Sequence, residues 1–229
     1  MTAAEFLQGK VLLIDKPFEW TSFQAVNKIR WHIKKQFGLK KIKVGHAGTL
    51  DPLATGLLII CTGKMTKQIN EFQAQEKEYT GTFYLGATTP SYDLETEVNQ
   101  RFSTDHISEE MIVKAKQSFI GEIDQKPPIF SAIKKDGKRL YDIARKGETT
   151  EIQSRKVTIS SFDITRIELP EVDFRVSCSK GTYIRSLAND FGVALESGAH
   201  LSALRRTRIG EFSVENALSI EEFIDSLKV

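Results

Sequence analysis

The spacing of apolar residues changes period several times along the chain, and each change predicts an element. Val11 to Ile14 is a short apolar stretch that enters a Lys16-Pro17 turn and reads as a strand. Phe23, Val26, Ile29 and Ile33 recur at helical spacing, with Ser22 able to cap the helix and Gly38 to end it. A loop from Gly45 to Gly56 then leads into Leu57–Cys61, apolar throughout and of buried-strand length. Tyr79 to Leu85 alternates, placing Tyr79, Gly81, Phe83 and Leu85 on one face of a half-buried strand. Ser108 to Phe119 predicts a helix, with acids in its first turn and Gly121 just past its end. From Val157 to Leu169 two strand pieces are expected, separated at Ser160-Ser161 where the alternation shifts phase. Val172, Phe174, Val176 and Cys178 alternate again, and Gly181 turns the chain into a helix beginning near Thr182. A last helix is expected from about Ser219 to Leu227.

Strands and helices are interspersed without a regular βαβ repeat, which predicts an α+β fold with a mixed, mostly antiparallel sheet. The 229 residues show no internal repeat, low-complexity tract or linker, so one domain spanning 1–229 is expected. Cys61 and Cys178 lie in apolar or strand-like contexts and read as reduced, buried side chains, neither a disulfide framework nor a metal site. No stretch approaches the roughly 18 apolar residues of a membrane span, and the N-terminus lacks a basic region followed by an apolar one. A cytoplasmic, monomeric protein is the expectation.

Net charge is only +2, so affinity for a polyanion must come from uneven distribution. Lys28, Arg30, Lys34, Lys35, Lys40, Lys41 and Lys43 form one basic block. Lys134, Lys135, Lys138 and Arg139 form a second, and Arg205, Arg206 and Arg208 a third. One such block is an ordinary solvated face; three beside Gly-rich loops suit nucleic acid. Residues 20 to 70 carry nine Lys or Arg and a single acid, Asp51. That acid sits between Leu50 and Pro52, where it suits a reactive group better than a solubilising one.

Gly45 to Gly56 is not a P-loop, since no Gly-Lys-Ser/Thr ends it, and its glycines miss the dinucleotide-binding spacing. No second carboxylate, Cys pair or His pair lies near Asp51 in sequence, which argues against a metal. No Gly-x-Ser-x-Gly elbow exists, although a Ser/His/Asp arrangement stays open. Leu50, Pro52 and Leu53 would partly desolvate Asp51 and disfavour its charged form, so a cation is needed nearby. Arg185, in the first turn of the helix after Gly181, is a candidate, because a cation there opposes the helix dipole and calls for an anion.

The run Gly45-His46-Ala47-Gly48-Thr49-Leu50-Asp51-Pro52 closely resembles the catalytic motif of the TruB family of tRNA pseudouridine synthases. Further segments resemble that family in its order: Asp15-Lys16-Pro17 with Thr21-Ser22, and Lys77-Glu78-Tyr79. Gln125 to Ala132 with Gly137 to Tyr141 follows, then Gly181 to Arg185. Ala199-His200-Leu201 with Leu204 to Arg208 is the last, so the resemblance runs from about residue 9 to 212. It implies the pseudouridine synthase fold with an RNA-binding cleft. It also implies cofactor-free isomerisation of the T-loop uridine-55 of tRNA to pseudouridine.

Under that resemblance Asp51 is the essential carboxylate, by addition to C6, attack on C1′ or removal of a C2′ proton. Arg185 holds and ionises it. Tyr79, a catalytic candidate with Asp51 and Arg185, stacks on the extracted uracil and could mediate proton transfer at C5, Leu204 packs in the pocket, and His46 enters the T loop to replace lost stacking. Lys16, Tyr183, Arg205 and Arg206 are further substrate-binding candidates, and the basic blocks would track T-arm phosphates. The partner implied is the tRNA T arm, with no metal and no required protein partner.

Glu19 stands where the family usually has Gly after Lys-Pro-x, and Phe130 replaces a usual Tyr. Many bacterial relatives continue into a C-terminal PUA-type RNA-binding domain. Here residues 213–229 are expected to form only a short acidic helix packing on the catalytic domain through Ile220, Phe223, Ile224 and Leu227. Near-complete reliance on the T arm follows. Two rivals stand beside this reading: a tRNA-binding or folding protein with dispensable catalysis, and a relative acting on ribosomal RNA with protein partners. Retention of Asp51, Tyr79 and Arg185 favours an enzyme over a binder, and the rRNA-directed relatives carry longer extensions.

Overall fold

The computed structural model describes residues 1–131, 133–135, 137–148 and 150–228. Ala132 and the side chains of the second basic block, Lys134, Lys135, Lys138 and Arg139, lie outside the described residues. The chain begins with α1 (Ala3–Gln8), β1 (Val11–Lys16), α2 (Ser22–Phe37), β2 (Val44–His46), β3 (Ala54–Thr62), α3 (Ile69–Ala74) and β4 (Lys77–Leu85). Then come β5 (Ala87–Thr88), β6 (Gln100–Arg101), α4 (Glu109–Gln117), β7 (Gly121–Gln125), β8 (Lys134–Lys135), β9 (Lys138–Arg139) and α5 (Leu140–Ala144). Last are β10 (Arg155–Glu168), β11 (Glu171–Cys178), α6 (Ile184–Ala194), β12 (Ala199–Ile209), β13 (Phe212–Ser213) and α7 (Ile220–Ser226). Antiparallel pairs dominate, and β12 runs parallel to β3, so the α+β expectation with a mixed sheet holds.

Two compact units form: residues 1–79 with 204–229, and residues 80–203. The first is built around β3. Antiparallel β1 pairs with it in the register Leu13↔Ile59, and Leu204 to Arg206 of β12 run parallel to Ala54 to Gly56. Leu58 and Ile60 point into a core with Ile14, Val26, Ile29 and Phe223. Leu57, Ile59 and Cys61 point into a second core with Ala47 and Ile209. A strand covered on both faces must be apolar at every position, which is why Leu57–Cys61 carries no alternation.

Helix α2 starts at a capping box, Thr21 accepting from the Gln24 amide while the Gln24 side chain accepts from Thr21. Thr21, not Ser22, is therefore the cap, and the Ser22 hydroxyl is directed elsewhere. Gly38 ends the helix in the left-handed conformation, as expected. Phe23 departs from expectation: it is 66% exposed, lying about 60° around the helix from Val26 and about 120° from Ile29. Helix α7 buries Ile220, Phe223 and Leu227 in the same core as α2. Full burial of such side chains contributes about 1.5–3 kcal/mol each.

In the second unit the strand order is β12, β4, β11, β10, β7. Its core is a cluster of phenylalanines, with Phe83 stacked on Phe174 at 4.1 Å between centroids, Phe162 edgewise to both, and Phe191 tilted against Phe83. Strand β10 is one strand of 14 residues, not two pieces. The phase shift at Ser160-Ser161 is a bulge, because the register with β11 slips between Ile159 and Ser161 without breaking the ladder. Helix α6 begins at Ile184, two residues later than expected near Thr182.

Candidate active site

Asp51 lies in the seven residues that join β2 to β3, and the backbone of that loop is fastened almost residue by residue. The Ala47 amide donates to the Ile59 carbonyl at 2.9 Å, and the Ala54 amide to the Asp51 carbonyl at 3.1 Å. The buried Ser22 hydroxyl takes both backbone groups of Leu50, accepting from its amide at 2.8 Å and donating to its carbonyl at 3.1 Å. The Arg206 guanidinium donates to the Gly48 carbonyl at 3.1 Å and to the Leu57 carbonyl at 2.8 Å. Lys16 donates from Nζ to the carbonyls of Pro17, Trp20 and Pro52. Leu50 is buried and Asp51 half-buried, so the loop turns an apolar residue inward and leaves the carboxylate partly accessible.

Gly56 explains how Arg206 reaches the loop. Its φ of +102° is left-handed, and a Cβ there would meet the Arg206 carbonyl oxygen at 2.3 Å. Only glycine lets β3 and β12 close at this point of the parallel pair. Arg205 turns the other way and forks onto the Asp15 carboxylate at 3.0 and 2.6 Å. Such a bidentate pair fixes geometry as well as charge.

Both Lys16 and Arg206 are fully buried. Burial pushes the Lys16 amine down to about 8; the Asp51 and Asp15 charges oppose the shift and Arg206 adds to it. His46, at the end of β2, is likewise pushed below its ordinary value, first by burial and then by Arg206. It is therefore a neutral imidazole at pH 7. Tyr79 is buried on β4. Next to it Glu78 accepts from the Thr207 hydroxyl at 2.7 Å, joining β4 to β12. Leu204 is half-buried at the point where β12 meets Ala54.

Tyr183 and Arg185 belong to the second unit. Tyr183 is the N-cap residue of α6 and makes no side-chain capping bond; Gln125 fixes its backbone. Gln125 accepts from the Tyr183 amide at 2.8 Å and donates to its carbonyl at 3.0 Å. The Arg155 guanidinium lies over the Tyr183 ring, 4.7 Å from its centroid, and donates to the Gly181 carbonyl. Arg185 is 3% exposed, donates to the Ser91 carbonyl at 3.2 Å, and pairs with Asp93 at 3.5 Å. Asp93 is held in turn by the Glu95 amide.

Lys16, Asp51, His46 and Arg206 are thus gathered in one unit, where Lys16 and Arg206 act on backbone carbonyls. The anchoring roles of Ser22, Asp15, Gln125 and Asp93 escape the sequence reading, since each looks like an ordinary polar residue. Asp15, Ser22 and Gln125 stand inside family-like segments, which is the available signal; Asp93 stands in none. Among the described residues no group of three His, Cys, Asp or Glu side chains could hold a metal ion.

Residues 34–184 match the model of the TruB family pseudouridylate synthase N-terminal domain, and residues 185–229 that of the tRNA pseudouridylate synthase B C-terminal domain. The chain belongs to the TruB family. A relative from Flavobacterium johnsoniae named tRNA pseudouridine synthase B is 67% identical over 229 residues, covering 100% of both chains. One of the same name from Phocaeicola vulgatus is 58% identical, covering 95% of this chain and 93% of its own. Among solved structures, a Cbf5-Nop10-Gar1 complex is similar at a TM-score of 0.72 and 31% identity, over 98% of this chain and 56% of that one. An H/ACA RNP bound to a substrate RNA containing 2′-deoxyuridine is similar at 0.69 and 30%, over 96% and 53%. The chain spans about half the length of the chains in those two structures. The TruB chain has the pseudouridine synthase fold. No helix among its described residues is long and apolar enough to cross a membrane.

Proposed function

We propose that this chain is a tRNA pseudouridine synthase, an isomerase acting on uridine-55 in the T loop. The observation that carries the reading is the Asp51 loop, a single carboxylate on an irregular loop fixed by Ser22, Lys16 and Arg206 in a chain of this family. Isomerisation breaks the N1–C1′ bond of the uridine and forms a C5–C1′ bond. The C5 proton is lost and N1 regains one, so no oxidant, metal or cofactor enters the balance.

Asp51 serves as the catalytic carboxylate, and a fixed loop suits that role because a reacting group must be held in place before the substrate arrives. Arg185, positioned by Asp93, supplies positive charge, and Tyr79 and Leu204 border the extracted base. His46, being neutral, can stack among bases without bringing a charge into them. The target uridine must leave its stack, at a cost of a few kcal/mol that stacking by such side chains offsets. The T arm is the part of the tRNA engaged, residues 1–229 act as one catalytic domain and as a monomer, and the cytoplasm is where the enzyme meets its substrate.

Tritium release from tRNA transcripts carrying 5-³H-uridine tests the proposal. Wild type releases tritium, Asp51→Asn does not, and replacing the T-loop target uridine abolishes release. Equal release by wild type and Asp51→Asn, or none from wild type with RNA binding intact, overturns it.

A further inference from the structure

Helix α2 has an outward face that the Asp51 site does not use. Its inward stripe is Ala25, Val26, Ile29 and Ile33, all buried. Opposite that stripe, within an arc of about 140°, stand Phe23, Lys34, Trp31, Lys35 and Lys28. Phe23 is 66% exposed and Trp31 53%, an unusual outlay of aromatic surface for one helix. The Lys35 ammonium sits over the Trp31 ring, 4.8 Å from its centroid. The chain from Trp20 to Leu50 contains seven Lys or Arg and no acid, so nothing on this helix or the following loop neutralises the face.

Exposed rings interleaved with lysines for which no ion pair is found among the described residues fit a strand that offers phosphates and flat bases together. The helix also has a fixed relation to the chemistry. Ser22, its first residue, is bonded to Leu50 beside Asp51, and Lys34 lies about 18 Å further along the axis. We propose that the outward face of α2 is a second RNA-binding surface, which holds the sugar-phosphate backbone and one unstacked base of the substrate RNA at nucleotides remote from the reacting uridine. This rests on the RNA-modifying reading above. Lysines 34 and 35 contact phosphate and the indole of Trp31 stacks on a base.

The test uses Lys34→Glu/Lys35→Glu and Trp31→Ala, with Lys34→Gln/Lys35→Gln as a milder pair, each checked by its thermal melt. Affinity for whole tRNA and for the T-arm hairpin is measured across salt concentrations, with tritium release in parallel. The charge-reversal pair is expected to raise KM by about tenfold or more and to lower the slope of log K against log salt by about two. Trp31→Ala weakens binding without changing that slope, and kcat at saturating RNA is kept in both. Loss on both RNAs locates the contact in the T arm and loss on tRNA alone locates it outside; either supports the surface. Wild-type affinity and slope in all variants overturn it. So does retention of wild-type tRNA affinity together with wild-type binding to anionic phospholipid vesicles that the variants lose, which would make the face a lipid contact. If wild type releases no tritium yet the variants still lose RNA affinity, the catalytic proposal fails and this one stands.

Discussion

The ammonium of Lys16 donates to the carbonyl oxygen of Pro52 at 3.3 Å, one residue from Asp51. Burial holds its pKa near 8, well below the ordinary lysine value. The folded protein therefore releases this proton more readily than the unfolded chain does. Between about pH 8 and the ordinary value the unfolded state binds more protons, so this group's contribution to stability rises with pH. The charge that steadies the Asp51 loop is lost over the same range. Activity is expected to fall as pH rises through about 8 while the melting temperature shows no matching fall. A profile of kcat/KM between pH 6.5 and 9.5, run beside thermal melts, checks this; a flat profile would show that the charge on Lys16 is immaterial.

Ser22→Ala deprives both the amide and the carbonyl of Leu50 of their side-chain partner in a buried place. The expected cost is about 1–3 kcal/mol of stability. The looser loop should also lower kcat more than it changes KM. Denaturant titration and single-turnover kinetics read the two effects separately, and a variant with wild-type kcat would show that the loop holds without this anchor.

Glu19 has a φ of +63°, in the left-handed region. The Lys16-to-Thr21 turn thus keeps a conformation suited to glycine while carrying a side chain there. Such a residue costs roughly 1 kcal/mol. Glu19→Gly is expected to recover part of that and to raise the melting temperature by a few degrees. An unchanged or lower melting temperature would mean that the Glu19 side chain earns its place through a contact.

Asp93→Asn leaves the Arg185 guanidinium buried beside a neutral amide. Breaking a buried pair from one side costs about 3 kcal/mol or more. The variant should unfold at lower denaturant and turn over more slowly, with kcat affected more than KM. Wild-type values for both would show that Arg185 keeps its place without the charge of Asp93.

The parts of the fold carried by apolar periodicity could be read directly. The run Leu57–Cys61 implies a strand covered on two faces, and the phase change at Ser160-Ser161 predicts a break where the structure has a bulge. Phe23 misled because an aromatic at helical spacing has the same pattern whether it faces the core or a partner. Strand β12 went unread since Arg205 and Arg206 interrupt its apolar positions, and nothing local reveals that Arg206 is buried. Asp51 was conspicuous because it is chemically out of place in a basic segment. Its supports were not, because Ser22, Lys16 and Arg206 acquire their roles only through carbonyl groups brought near by folding.

Arg206 and Gly48 are 158 residues apart in sequence. During synthesis the Asp51 loop therefore emerges long before the strand that locks it, and β3 must wait for Leu204 to Arg206 to complete its edge. Non-local closure of this kind is slow and comes late. A ribosome-bound nascent chain that stops short of Leu204 has its carboxylate but not the strand that locks it, so competence to act on RNA waits until β12 has been made.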